Sequence, residues 1–70
     1  MHKYEIVIHW SEVDGAFIAE ASELAGCMAH GDSPDHALAQ CQEAIGLWLD
    51  TARDLGRPIP EPKGSRVRMA

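Results

Sequence analysis

The segment "DSPDHALAQCQEAIGLWLDTARDLG", Asp32 to Gly56, takes up about a third of a 70-residue chain, and it has the period of one long helix. At 100° per residue, Leu38, Cys41, Ala44, Ile45, Trp48, Leu49, Ala52 and Leu55 share one broad stripe. Gln42, Glu43, Gly46, Asp50, Arg53 and Asp54 cover the remainder. Ser33 or Asp32 can accept from the first free backbone N–H groups. Pro34 suits the first helical position, where a missing N–H costs no bond, and Asp35 favours the positive end of the dipole. His36 stands where a capping box carries glutamate, so the box reads as incomplete. Gly56 supplies a left-handed cap and Pro58 blocks continuation. The spacing predicts a helix over 34–55, about 33 Å long at 1.5 Å per residue. Gly46 weakens it by ~1 kcal/mol relative to alanine, a loss the stripe must outweigh by packing.

The remainder of the chain offers a sheet for that stripe. "KYEIVIHW" alternates, with Tyr4, Ile6, Ile8 and Trp10 to one side and Glu5, Val7 and His9 to the other. Asp14-Gly15 is a turn signal, and "AFIAEA" reads as a second strand. Opposing Trp10 with Phe17, Ile8 with Ala19 and Ile6 with Ala21 makes every partner on one face apolar. Val7 then meets Glu20 and His9 meets Ile18 on the reverse face; a slip by one residue mixes the faces. "CMAHG" reads as a third strand. The expected strands are 3–10, 16–21 and 27–31, in a single domain spanning 1–70. "RPIPEPKG" begins a stiff, extended tail over 57–70, in which "SRVRMA" fits either a short fourth strand or a frayed end.

Composition narrows the function. At 46% apolar and 24% charged residues the chain reads as a soluble globular protein. No stretch approaches the roughly 20 apolar residues of a membrane span, and no secretory leader is recognisable, so a cytoplasmic location with free thiols is expected. The net charge of −5 is uneven. Met1 to Ala52 carries nine carboxylates against Lys3, and the rest carries five cations against two carboxylates. An acidic body repels nucleic acid and attracts a basic protein.

Chemical sites read poorly. Cys27, His30, His36 and Cys41 are four potential zinc ligands, but they do not converge. His36 and Cys41 lie about 140° apart around a helix, and residues three apart on a strand face opposite sides. Both thiols read as small apolar filling rather than as a nucleophile served by His30. Glu12 and Asp14 read as solvated turn formers rather than an acid–base pair. No phosphate loop, dinucleotide fingerprint or zinc-protease motif occurs. No cofactor, metal or catalytic residue is assigned, and the chain reads as a non-enzyme. Trp48, on the stripe, reads as core. Val7, Ile18 and Met28 populate the sheet face that one helix cannot cover, and Leu47 lies off the stripe centre. These four suggest an interface of a homo-oligomer, dimer or tetramer.

The order of these signals is specific. Strand, "DG" turn, strand, "ELAGC", strand, "GDSPDHAL", amphipathic helix and "GRPIPEP" resembles the HicB-like antitoxin family from Tyr4 to Pro62. The family usually has proline at or near Ala25 and glutamate at His36. The resemblance implies an α+β, partial RNase H-like fold: a small antiparallel β-β-β-α sheet with one long helix on one face and no nuclease activity. It also implies a partner, a small basic HicA-type ribonuclease toxin that the antitoxin neutralises. The partner-facing candidates, chosen from charge, are Glu12, Asp14, Glu20 and Glu23. Many members carry a C-terminal DNA-binding module; with about eight residues after "PIPEP", no DNA binding is expected from this chain. The alternative is an orphan regulatory or small-ligand-binding domain of the same fold.

Overall fold

In the computed structural model, which describes residues 3–64 and 66–70, the alternating start becomes strand β1 (Ile6–Ser11). It is followed by β2 (Ala16–Ala21), β3 (Met28–Gly31), the helix α1 (Pro34–Asp54) and β4 (Val67–Met69). The sheet order is β3-β2-β1-β4. β1 and β2 pair antiparallel in the register the faces demand: Ile6 with Ala21, Ile8 with Ala19, Trp10 with Phe17, and His9 with Ile18 on the reverse side. Gly15, at φ 61°, takes the left-handed position of the turn, and its N–H reaches the Ser11 carbonyl at 2.8 Å. β2 and β3 are also antiparallel. The fourth strand exists, but it joins β1 in parallel, so the sheet is mixed rather than wholly antiparallel. Ser65, the first residue of "SRVRMA", lies outside the described residues.

Both helix ends are capped by local chemistry. Ser33 is the N-cap, and its Oγ accepts the His36 N–H at 3.1 Å. His36 Nδ1 in turn accepts the Asp32 N–H at 3.2 Å. The imidazole thus reaches back as a glutamate does in a capping box, and the box the sequence left incomplete is closed one residue earlier. At the other end Gly56 (φ 68°) donates to the Arg53 carbonyl at 3.2 Å, and Arg57 to Ala52 at 2.8 Å. That is a Schellman motif, and it ends the helix at Asp54 with Leu55 as C-cap.

The apolar stripe of α1 packs on the sheet chiefly over β3 and β2, less over β1, and does not reach β4. Ile6, Ile8, Leu24, Cys41 and Ile45 are the largest side chains fully withdrawn from water. Each such aliphatic side chain contributes about 1.5–3 kcal/mol by its burial. Ala37, absent from the expected stripe, is fully buried because the helix is lowered onto Gly31. A Cβ at Gly31 would collide with the Ala37 backbone nitrogen and stand 2.7 Å from its Cα. Two stripe or face residues lie farther out than their pattern implies. Leu55 is exposed beyond the helix end, and Trp10, towards the end of β1, is 49% exposed and outside the core cluster. Trp10 instead packs edge-on against Phe17, with ring centroids 5.1 Å apart.

The tail is tied to the front of the chain. Tyr4 Oη donates to the Pro60 carbonyl at 2.6 Å, Ile6 N–H to Arg66, and Ala70 N–H to Ile8. Arg66 and Arg68 both approach the Glu5 carboxylate, at 3.7 and 3.6 Å. Replacing Gly31 by alanine forces β3 and the first helical turn apart. The expected result is a loss of about 1–3 kcal/mol of stability, read as a lower urea midpoint at unchanged slope.

Candidate partner-binding surfaces

An apolar groove of about 310 Å³ runs between the start of β3 and the C-terminal half of α1. Gly26, Cys27 and Met28 form one wall; Ala44, Leu47, Trp48, Thr51 and Ala52 form the other, and Arg57 stands at the helix end. Trp48, expected in the core, is only half-buried, and its indole N–H donates to the Ala25 carbonyl at 3.0 Å. That bond fixes the ring as a wall of the groove and pins the β2–β3 connection to the helix. Leu47 is 69% exposed and Met28 46% exposed, one on each bank.

The four residues expected at an oligomer interface therefore divide between two surfaces. Val7 and Ile18 lie on the sheet face opposite α1, where Met28 and His30 follow them across β3. Leu47 does not face that side; it belongs to the helix bank of the groove. Ile18 is only 9% exposed yet lies outside the core cluster, shielded by its neighbours in the sheet.

The four partner-facing carboxylates do not form one cluster either. Glu12 and Asp14 are exposed in the β1–β2 turn. Ser11 Oγ donates to Asp14 Oδ2 at 2.9 Å, and His30 Nε2 lies 4.0 Å from the same oxygen. Glu20 is half-buried on the open face between Val7 and Met28. Glu23 is a brace: its two oxygens accept the backbone N–H groups of Glu5 and Lys63, each at 3.1 Å. A polar hollow of about 540 Å³ beside it is lined by Glu5, Ser22, Glu23, Lys63, Gly64 and Arg66. These groups largely satisfy one another, Ser22 donating to Glu5 at 3.2 Å beside the arginine pairs. The exposed Leu47 was readable from its place off the stripe. The groove was not, because it depends on where β3 sits against α1.

Comparison with known proteins adds a family. The model for the HicB-like antitoxin of bacterial toxin–antitoxin systems matches residues 4–69. A UPF0150 protein of Synechocystis sp. is 32% identical, covering 94% of this chain and 92% of the relative. A second Synechocystis UPF0150 protein is 28% identical over 87% of this chain and 76% of the relative. One from Thermoplasma acidophilum is 26% identical, covering 93% of each. No solved structure matches.

The thiols are placed for packing rather than chemistry. Cys27 and Cys41 are both free and buried in the core, while His30 and His36 are exposed outside it. Among the described residues no three His, Cys, Asp or Glu side chains form a metal-sized group, and no helix is long and apolar enough to cross a membrane. Burial pushes the Cys41 thiol up from 9.0 to about 11, with the neighbouring Cys27 adding to the rise; burial raises Cys27 as well. A raised thiol pKa means the native state holds the proton more tightly than the unfolded chain. The contribution of the neutral thiol to stability is then complete below pH 9 and is lost as pH rises from 9 towards 11. Stability is expected to fall across that window by at most about 1.4 kcal/mol per pH unit for this group. Denaturant titrations at several pH values should show a shallower fall for Cys41→Ala; identical slopes would contradict the assignment.

Proposed function

Since the chain belongs to the HicB-like antitoxin family, we propose that it binds and neutralises a small basic HicA-type ribonuclease, acting as a non-enzymatic inhibitor on a partial RNase H-like scaffold. The family match over residues 4–69 carries this reading. Charge supports it. The body from Met1 to Ala52 holds nine carboxylates against one lysine, and no described histidine, cysteine or carboxylate cluster suggests chemistry of its own. An acidic surface can occupy the place of RNA phosphates on a cationic enzyme and speed the encounter. Glu12 and Asp14 are the proposed contacts, and Glu20, half-buried beside Val7, belongs to the open sheet face. Glu23, with both oxygens engaged by the backbone, is reassigned to holding the tail.

The open sheet face takes a second copy in this reading, in the cytoplasm. Val7 and Ile18 form its apolar centre and no helix of the same chain packs there. Ile18→Asp is expected to leave the helix-covered core folded and to shift the chain to a later elution volume. An unchanged volume contradicts the assignment of that face.

Neutralisation is tested with the protein encoded beside this chain's gene. One equivalent of the chain should suppress RNA cleavage by that protein. The inhibition should weaken as salt shortens the screening length from about 10 Å at 0.1 M to about 3 Å at 1 M. Undiminished cleavage in the presence of excess chain contradicts the reading.

A further inference from the structure

The groove between β3 and α1 adjoins a second feature that gives it a use. β3 is an end strand of the sheet, so among the described residues no strand lies along one side of its backbone. The hydrogen-bond phase says which groups face outwards. Ala21 donates to the Cys27 carbonyl, so Ala21 and Cys27 oppose each other with their polar groups turned inwards. Antiparallel pairs alternate, so Ala19 with Ala29 repeats that inward pattern, and Glu20 with Met28 and Ile18 with His30 do not. The N–H and C=O groups of Met28 and His30 therefore point away from the sheet, along the lip of the groove. An extended chain laid beside β3 can take up these groups and direct alternate side chains towards α1.

Charge identifies what kind of chain fits. On α1, Glu43, Leu47, Asp50 and Asp54 follow at i, i+4, i+7 and i+11, a spacing that sets them on one helix face. The exposed Leu47 thus borders the groove with a row of exposed carboxylates beside it, of which Asp50 shares its charge with Arg53 at 3.4 Å. Arg57 is the one cation among the groove's lining residues and stands where the helix ends. Apolar walls bordered by the carboxylates of α1 suit an apolar side chain flanked by lysine or arginine.

We propose that the β3 edge and the α1 groove together form a docking site for an extended basic segment of a partner protein, which adds to the sheet as a strand beside β3. The segment places an apolar residue against Leu47 and Trp48, and its cations meet Glu43, Asp50 and Asp54 on the helix side. This rests on the antitoxin reading and deepens it, by adding a specific contact at β3 and α1 to the attraction of the acidic body.

Three single variants separate this site from general charge attraction. Leu47→Glu and Met69→Glu each add one carboxylate at an exposed apolar position, but Met69 lies in β4, at the opposite edge of the sheet from β3. Met28→Pro removes an outward N–H of the edge strand and no bond within the sheet. The probe is the purified protein encoded beside this chain's gene, titrated by calorimetry against each variant after circular dichroism has confirmed its fold. Leu47→Glu and Met28→Pro are each expected to weaken binding about tenfold or more, and Met69→Glu to leave it unchanged within about twofold. Wild-type binding that survives both groove variants overturns the docking site and leaves the antitoxin reading standing. Absence of wild-type binding at low salt overturns both.

Discussion

The whole molecule depends on how closely one helix can approach one strand. Gly31 leaves no side chain between β3 and the first turn of α1, so the Ala37 backbone lies directly against the end of the strand. Alanines continue the same economy of bulk: Ala19, Ala21 and Ala37 are fully buried, and Ala29 packs beside them. With the helix seated this low over β3 and β2, Ile6, Ile8, Leu24 and Ile45 close the remaining space. The axis so fixed also sets what stays uncovered. α1 does not extend to β4, and Trp10, Val67 and Met69 remain about half exposed on that side.

The same placement creates the surfaces on which a partner can act. The low seat at the N-terminal end of α1 holds β3 at the rim of the helix, and the tie from Trp48 to Ala25 keeps the opposite bank in position. An edge strand with free polar groups is a hazard for aggregation unless it is short or charged. β3 is four residues long, which limits how much of another chain can pair with it. The basic tail meanwhile closes on its own chain. Arg66 and Arg68 share Glu5, and Glu23 holds the backbone of Lys63. These exposed pairs add little stability singly, but they neutralise part of the body's charge where β4 joins β1.

Much of this architecture was legible in the sequence, for physical reasons. The β1–β2 register follows from the requirement that Ile6 and Ile8 share a dry face, and the structure has the same five pairs, with Ser11 and Ala16 extending them. Helix ends follow from Ser33, Pro34 and Gly56, whose effects are local. What escaped was set by three-dimensional placement. The exposure of Trp10 depends on how the helix sits across the sheet as a whole, and the burial of Ala37 on the Gly31 contact. The parallel pairing of β4 depends on the path of a proline-rich tail that carries no periodic signal. His36 was read as a missing glutamate, whereas its ring nitrogen supplies the same acceptor. Among candidate contacts, charge alone could not separate Glu23, engaged by two backbone N–H groups, from the freely exposed Glu12.

If one helix holds the sheet together, resistance to opening should follow its reach. Native-state hydrogen exchange reads this residue by residue. The amides of Ala19 in β2 and Ile45 in α1 should exchange together, only through global unfolding. The Ala70 amide, bonded to the Ile8 carbonyl beyond the helix, should exchange far faster through local opening. Equal protection of Ala70 and Ala19, or separate opening of β2 and α1, would contradict a fold that rests on the single seat of α1 over β3.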